Sequence, residues 1–281
     1  MFDRILVAVD GSDCALRGAR VGLELAAATG AAVDAVYVTT QNGADEHASV
    51  VLDDVADLAA DADPTVELHA LEGDPADVIV SHAAGRGADL IVLGRQGRDG
   101  IGERLLGSVA HSVLRQSDLP VLTVPESGNG FDVERVLVTT DGSDAAEWAA
   151  PYVAAIAAQH GADLHVCTVV DIEREAGPFS AGGVTEEVIE RYEQRGEEAV
   201  SRFADLLPDA EPGLSVQTAV VRDRPHAGIE SYVDEHDIDL VIMSSVGESS
   251  IVGQLLGSVT DRVLRIVDVP VLVVTSEPDT E

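Results

Sequence analysis

Two glycines spaced three residues apart, Gly94 and Gly97, follow an apolar run at 89–93 and precede the pair Gly107-Ser108. Glycine lets backbone N–H groups approach an anion closely, and a helix N-terminus offers unpaired amides and the positive end of the helix dipole. The apolar run predicts a buried parallel strand, and the residues after Ser108 have the spacing of a helix. A strand, a glycine-rich loop and a helix in this order can hold a phosphate group.

The same pattern returns 150 residues later with one difference. Gly247, Gly257 and Ser258 match the first copy, but Ser244 stands in the position of Gly94. If this position requires a positive φ angle or a close approach of two backbones, the serine side chain is costly. The residues leave open whether the second loop binds a phosphate group or only supports the fold.

Both loops belong to a repeated series of elements. Alternating short apolar strands and amphipathic helices predict the order β-α-β-α-β-α-β-α-β in each half. Residues 135–144 match 4–13 at an offset of 131, whereas from Pro225 onward the offset is 150. The second copy is therefore 19 residues longer, with the extra residues inside 171–214. This insertion predicts either a lid over the strand ends or a variable surface excursion.

The repeat predicts an α/β protein with two tandem, doubly wound domains, each built on a five-stranded parallel sheet. The expected strand order is 3-2-1-4-5, which the repeat by itself does not prove. In such sheets, ligands bind beyond the carboxyl ends of the strands, where the strand order reverses. Asp10 ends the first strand and Gly94 follows the fourth, so this order places them side by side. The predicted boundaries are 1–126 for the first domain, 127–134 for a linker, 135–276 for the second domain and 277–281 for a tail.

Charge and composition limit the function further. The chain has 281 residues and a formal net charge of −34, and all 17 basic residues are arginine. This charge repels nucleic acid, so DNA and RNA binding is disfavoured. It is typical of cytosolic proteins from extreme halophiles, because the screening length at ~1 M salt is only about 3 Å. No uncharged apolar stretch is long enough to span a bilayer, and we expect a cytoplasmic protein without membrane contact.

Cysteine and histidine spacing favours neither a disulfide nor a metal centre. Cys14 and Cys167 lie at non-equivalent positions of the two copies, and the eight histidines show no paired ligand spacing. The chain also lacks the lysine-containing phosphate loop, and no Gly-x-Gly-x-x-Gly motif follows its first strand. We therefore expect two free thiols, no metal site and a phosphate site of another type.

The spacing Gly94-x2-Gly97-x9-Gly107-Ser108, with Asp10 closing the first strand, resembles the nucleotide-binding branch of the universal stress protein family. The resemblance covers nearly the whole chain as two copies in register. It implies the adenine-nucleotide alpha-hydrolase-like fold and ATP or AMP as the ligand. A carboxylate beside phosphate would need a bridging Mg²⁺ ion.

The resemblance also implies which residues surround the nucleotide. In the first half these are Ala8, Val9, Asp10 and Val38 near adenine and ribose, and Gly94, Gly97, Gly107, Ser108 and Val109 around ribose and phosphates. Arg95 and Arg98 are expected to supply positive charge near the phosphates, but the family match does not fix the role of either. In the second half the matching residues are Asp141, Val169, Gly247, Gly257, Ser258 and Val259, and Glu248 stands where the first copy has Arg98. Taken singly, the aspartates could be turn residues and the serines helix caps. Their combination favours a nucleotide site in the first half, whereas the second half favours weaker binding or none.

No nucleophile, base and orienting acid stand at positions that the family defines, so no catalytic residue is named. The expected function is a nucleotide-binding module of the stress response that acts on a conformation or a partner and is not an enzyme. The alternatives are a nucleotide-independent, chaperone-like interaction module and a slow Mg²⁺-dependent ATPase. The resemblance further implies an internal pseudo-dimer, in which strand 121–124 pairs with strand 271–274, and it is compatible with a further homodimer.

Overall fold

A computed structural model describes residues 2–40, 46–60, 64–97, 105–127, 131–172, 185–207, 215–247 and 256–278. The chain forms two compact units. The first contains Met1–Asp132 and Asp268–Ser276, and the second contains Val133–Val267 and Glu277–Glu281. No helix in the described ranges has both the length and the apolar character needed to cross a membrane.

Strands and helices alternate along both halves of the chain. The strands are β1 (Arg4–Val9), β2 (Ala32–Thr39), β3 (Val66–Glu72), β4 (Leu90–Gly94), β5 (Val121–Val124), β6 (Arg135–Thr139), β7 (Asp163–Val170), β8 (Val216–Arg222), β9 (Leu240–Ser244) and β10 (Val271–Val274). The helices are α1 (Asp13–Thr29), α2 (Glu46–Ala60), α3 (Pro75–Arg86), α4 (Ser108–Gln116), α5 (Asp144–Glu147), α6 (Ala150–His160), α7 (Glu186–Ala204), α8 (Pro225–Glu235) and α9 (Ser258–Ile266).

The sheet of the first unit has the strand order β3-β2-β1-β4-β5, with all five strands parallel. This confirms the predicted order 3-2-1-4-5 for the first half. In the centre of the sheet, Ile5 of β1 lies between Val33 of β2 and Leu90 of β4. These side chains are fully buried, as expected for a parallel sheet covered by helices on both faces.

The terminal strand β10 pairs antiparallel with β5, and Leu272 lies opposite Leu122. This confirms the predicted pairing of the last strands of the two copies, and it places the fifth strand of the second copy in the first unit. The side chain of Thr275 adds a hydrogen bond of 2.8 Å to the carbonyl of Leu119. Because β5 is paired on both sides, it is not an exposed edge strand.

The second unit contains the other four strands of the second copy in the order β9-β6-β7-β8, all parallel. This is the same arrangement as β4-β1-β2-β3 of the first unit. Val136 of β6 lies between Leu164 of β7 and Leu240 of β9, and all three are buried. The α/β repeat inferred from the sequence is therefore present in both halves.

The first helix of the second copy is broken, although the repeat predicts one continuous helix. α5 ends at Glu147 and α6 begins at Ala150, with Pro151 in its first turn. Proline has no N–H, and its ring clashes with the carbonyl four residues earlier, which here belongs to Glu147. The chain tightens at the break, since the N–H of Trp148 donates to the carbonyl of Ala145, three residues back, at 3.4 Å.

A buried ionic cluster lies under α3 in the first unit, around Asp34 of β2. Its fully buried carboxylate accepts hydrogen bonds from Arg4 at 2.9 Å and Arg86 at 3.0 Å, and the Nε2 atom of His69 lies 3.0 Å away. Burial alone would raise the pKa of Asp34, but the bonds from Arg86, Arg4 and His69 outweigh it and lower the pKa to about 2. Asp34 is therefore charged throughout the physiological pH range.

The oxygen and nitrogen atoms of Asp34, Glu67 and His69 lie close enough together to hold a metal ion. However, the Nη2 atom of Arg86 lies 3.0 Å from Asp34 and 2.6 Å from Glu67. The guanidinium already supplies the positive charge that the two carboxylates need, so we interpret this group as an ionic cluster of the fold.

In the second unit, buried His165 takes the position of Asp34. Its Nδ1 atom lies 2.9 Å from the hydroxyl of Tyr232, and its ring centroid lies 5.3 Å from that of His236. Burial lowers the pKa of His165, and the positive charges of His236 and Arg135 lower it further against the opposing effect of Asp163. His165 is therefore held neutral at neutral pH.

We expect the second unit to lose stability as the pH falls below about 6.5, where an unfolded histidine takes up a proton and buried His165 resists it. The pKa of His165 is lower in the folded protein than in the unfolded chain. Its contribution to stability is therefore present above the unfolded pKa and is lost as the pH falls through the folded pKa. Thermal unfolding followed by the fluorescence of Trp148, the single tryptophan, reports on this unit. His165→Gln, in β7, should weaken the pH dependence and His226→Gln, in α8, should not; equal pH dependence in all three proteins would contradict this account.

Candidate functional site

The candidate site of the first unit lies at the carboxyl ends of β1 and β4, which are neighbours in the sheet. Asp10 directly follows β1, and the loop from Gly94 to Gly107 connects β4 to α4. A Cβ atom added to Gly97 would lie 2.6 Å from the Oδ2 atom of Asp10, so the carboxylate packs directly against this glycine. The structure thus brings together the aspartate and the glycine-rich loop, as the predicted strand order requires.

One oxygen of Asp10 serves the turn that starts α1. Its Oδ1 atom accepts hydrogen bonds from the backbone N–H of Ser12 at 3.0 Å and from its hydroxyl at 2.6 Å. Ser12 in turn caps α1 by accepting from the N–H of Ala15 at 3.1 Å. The turn role considered for Asp10 is therefore real, but it uses Oδ1, whereas Oδ2 faces the loop at Gly97.

Gly94 is required by the packing of α1 on β4. A Cβ atom at this position would lie 2.7 Å from the carbonyl carbon of Cys14 and 2.8 Å from the N atom of Ala15. The φ angle of Gly94 is not among the positive ones. Of the two reasons considered for a glycine here, the close approach of two backbones is therefore the one that applies, and the approaching backbone is that of a helix.

We expect Gly94→Ala to destabilise the protein by about 1–3 kcal/mol, because the added methyl group forces the start of α1 away from the sheet. Gly85→Ala is the matched control, since nothing lies within 4 Å of a Cβ atom at this helical position. It should be neutral or stabilising by up to about 1 kcal/mol. Chemical denaturation of the two variants measures the difference, and equal stability would contradict the packing role of Gly94.

Gly107 closes the loop and begins α4. Its N–H donates to the carbonyl of Arg95 at 2.9 Å, and a Cβ atom at this position would lie 3.2 Å from the same oxygen. Gly107 occupies the N-cap position of α4 without a side-chain cap, so Ser108 is the first helical residue and not the cap. Ser108 and Val109 are exposed, and they present a hydroxyl and first-turn amides at the positive end of the helix.

Arg95 requires a correction. The sequence predicts that its positive charge lies near the phosphates, but its side chain is only 5% exposed and its Nη2 atom donates to the carbonyl of Val269 at 2.8 Å. The backbone of Arg95 remains in the loop, while the guanidinium points to the segment before β10. Arg98 and Glu248 lie outside the described residues.

The predicted adenine-side residues lie around the ends of β1 and β2. Ala8 and Val9 are buried in the sheet, and Val38 is half-buried beside β3. Sequence reasoning missed His47 of α2, whose Nε2 atom would lie 3.0 Å from a Cβ atom at Gly11. No spacing signal links His47 to the turn after β1, because it comes from a helix that follows another strand.

The second unit repeats much of this geometry. The Oδ1 atom of Asp141 accepts from the N–H and the hydroxyl of Ser143 at 3.1 and 2.6 Å, and Asp141 packs against Gly247 as Asp10 does against Gly97. The N–H of Gly257 donates to the carbonyl of Ser245 at 2.6 Å, and this bond closes the second loop. Ser258 is exposed at the start of α9, Val259 follows it, and Val169 is half-buried at the end of β7.

Ser244 distinguishes the second loop from the first. Its side chain is buried, and its hydroxyl donates to the carbonyl of Val246 at 2.6 Å, inside the loop. In the first unit, α1 packs closely against Gly94, the residue that matches Ser244. The matching helix of the second unit is divided into α5 and α6. Arg202 of α7 donates to the carbonyl of Gly142 and pairs with Glu147 at 2.5 Å, so a cation lies at this turn. The second site has the same backbone plan with different side chains.

The comparisons with known proteins all point to one family. The model of the universal stress protein family matches residues 1–125 and again 133–275. A universal stress protein of Methanocaldococcus jannaschii is 30% identical over 141 residues, which cover 50% of this chain and 81% of the relative. One of Archaeoglobus fulgidus, solved by crystallography, has the same fold, with a TM-score of 0.71 and 22% identity over 98% of this chain and 99% of that one.

A second structure from Archaeoglobus fulgidus is a universal stress protein in complex with dAMP, 29% identical and with a TM-score of 0.36. It covers 43% of this chain and 95% of its own length. The two family matches together span most of the sequence and coincide with its two copies of the repeat. The chain belongs to the universal stress protein family and carries the domain of that family twice.

Proposed function

We propose that the first half of this protein binds an adenine nucleotide, ATP or AMP, and that the bound nucleotide controls a conformation or a partner surface in the stress response. One observation carries the proposal: Asp10, Gly97 and Gly107 bring three backbone segments together at the carboxyl ends of β1 and β4. This edge of an open α/β sheet is where ligands bind. The N-terminus of α4 lies at the same place and favours negative charge.

Each part of the site has a role in this proposal. The first-turn amides of α4 and the hydroxyl of Ser108 bind the phosphates. Gly97 and Gly107 allow Asp10 and the backbone of Arg95 to pack closely around this position. Asp10 accepts a hydrogen bond from a ribose hydroxyl or an adenine amine. Ala8, Val9 and Val38 border the adenine. A carboxylate beside phosphate needs a bridging cation, so Mg²⁺ belongs to the proposal when ATP is the ligand.

The second half binds nucleotide more weakly in this proposal, or not at all. It keeps Asp141, Gly247 and Gly257, but the buried side chain of Ser244 reaches into the loop and bonds to the carbonyl of Val246. A hydroxyl that bonds within the loop gives that loop a different shape to present to phosphates. The second half then serves the fold or an interaction surface.

We propose no catalytic residue, and the protein acts by binding. The proposed domains remain 1–126 and 135–276, with a linker at 127–134 and a tail at 277–281. A cytoplasmic location, the absence of nucleic-acid partners and a further homodimer complete the proposal. The ATPase alternative would instead be supported by ATP hydrolysis that survives stringent purification and disappears on a single substitution in the site.

The proposal is tested on protein purified in high salt. Small molecules extracted from the denatured protein are separated by chromatography and identified by mass spectrometry, with the variant Gly107→Val purified in parallel. We expect ATP or AMP from the wild type at up to one molecule per chain, and none from the variant. A wild-type protein that is empty, and that binds neither nucleotide at millimolar concentration with Mg²⁺, would overturn the proposal.

A further inference from the structure

Arg95 has its backbone in the first glycine loop and its side chain on the terminal segment of the chain. Its N–H donates to the carbonyl of Val124 at 2.7 Å, and its carbonyl accepts from Gly107 at 2.9 Å. Its guanidinium reaches the carbonyl of Val269, two residues before β10, at 2.8 Å. A single residue thus connects β5, the start of α4 and the segment that leads into β10.

The cost of burying this guanidinium argues for a specific role. Arg95 is 5% exposed, and a charge removed from water is tolerated only when hydrogen bonds and nearby opposite charges compensate it. Burial lowers the pKa of Arg95 to about 10, while Cys14 and Asp268 act in the opposite direction. Arg95 is therefore still charged at neutral pH, and its bond to Val269 is charge-assisted.

The matched position of the second copy carries a different side chain. Ser245 keeps the backbone bond that closes the loop, since its carbonyl accepts from the N–H of Gly257 at 2.6 Å. Its side chain is buried, short and uncharged, and it replaces a side chain long enough to reach another segment. Loop closure is common to both copies, whereas the charged donor at this position belongs to the first loop.

We propose that Arg95 is a positioning residue that couples the first loop to the docking of β10 on β5, so that a nucleotide in the loop and the paired terminal strand stabilise each other. The ligand in this statement rests on the proposed function. Coupling of this kind is reciprocal, so a nucleotide that orders residues 94–97 must also strengthen the pairing of residues 271–274. The terminal strand of the second copy then reports the state of the site in the first.

The link itself is tested without nucleotide, by hydrogen exchange of the full chain measured by mass spectrometry. Arg95→Met removes the charged donor and keeps a side chain of similar length. We expect exchange to accelerate about 10-fold or more both in 94–97 and in 271–274, because the two segments lose their common bond. Thr275→Val is the matched control, since it removes the bond to Leu119 from the same terminal segment and should accelerate exchange only there.

The coupling is tested by adding ATP to the same proteins. In the wild type, ATP should slow exchange in 94–97 and in 271–274 but not in β3, and in Arg95→Met the effect on 271–274 should be lost. If Arg95→Met does not fold, Arg95→Lys replaces it in both experiments, because lysine keeps the charge but loses the planar fork that reaches Val269.

The outcomes separate the two proposals. Absence of ATP binding to the wild type overturns the proposed function, and the exchange of the unliganded variants still decides the link. If the substitution at Arg95 alters one segment alone or neither, or if ATP protects the loop of the wild type and leaves 271–274 unchanged, the coupling is wrong.

Discussion

Substitution Gly107→Val is expected to abolish nucleotide binding in the first half while the protein stays folded. A Cβ atom at this position would lie 3.2 Å from the carbonyl of Arg95 and 3.5 Å from the Cα atom of Gln96, and valine adds two further methyl groups. The side chain pushes the loop away from the N-terminus of α4 and covers the amides there. We expect the affinity for ATP to fall by about 100-fold or more, or at least ~2.7 kcal/mol.

The matched control is Gly257→Val in the second half. A Cβ atom there lies 3.1 Å from the carbonyl of Ser245, so the steric problem is the same in the other copy. Calorimetric titration with ATP and circular dichroism of both variants separate binding from folding. We expect the second variant to keep the strongest binding. A folded Gly107→Val protein with the wild-type affinity would contradict the assignment of the first loop, as would an equal loss in Gly257→Val.

Transfer from high to low salt is expected to destabilise the protein more than any of the substitutions described above. The formal net charge is −34, and no lysine is present. The screening length grows from about 3 Å at ~1 M salt to about 10 Å at ~0.1 M, so acidic side chains that are independent in high salt repel one another in low salt. We expect the melting temperature to fall by about 10 °C or more, which corresponds to a loss of several kcal/mol.

Screening can be separated from general effects of the solute. Salts that are matched in ionic strength should restore stability to a similar degree, because screening depends on ionic strength. Sucrose also favours compact states, but it does not screen charge. Two results would show that the acidic surface is not adapted to salt. In one, sucrose restores stability and the salts do not; in the other, the melting temperature is constant between low and high salt.

The sequence predicted those features of the fold that depend on local patterns and on repetition. The apolar runs and the offset between the copies predicted two repeats of alternating strands and helices. The expected order β3-β2-β1-β4-β5, which these patterns alone did not prove, is confirmed by the structure and places Asp10 beside the glycine loop. The pairing of residues 121–124 with 271–274 was also predicted, from the family resemblance and from the need to cover an edge strand.

The features that the sequence did not predict arise from contacts between distant residues. Only glycine fits at position 94, because the backbone of Cys14, which is 80 positions away in the sequence, passes close to it. Arg95 follows Gly94 directly, but the side chains of neighbouring residues in an extended chain point to opposite sides. The guanidinium of Arg95 therefore lies at the carbonyl of Val269 and not in the loop. His47 reaches the turn after β1 from a separate helix, and no motif includes it.

The break between α5 and α6 shows a different limit. Pro151 was visible in the sequence, but the repeat predicted an unbroken helix at this position because α1 is continuous in the first copy. The repeat correctly indicated which elements exist, and proline decided where one of them ends. The same unit carries Ser244, so the two copies differ both in the loop and in the helix that packs beside it.

A crystal structure of the full chain with ATP and Mg²⁺, grown from high salt, shows directly whether the first loop is the nucleotide site. We expect phosphate density at the N-terminus of α4, between Gly97 and Gly107, with Asp10 beside the ribose or the adenine. We expect lower occupancy, or none, at Gly257. A nucleotide bound at the second loop alone, or at a place away from both loops, would contradict the claim that the first loop is the nucleotide site.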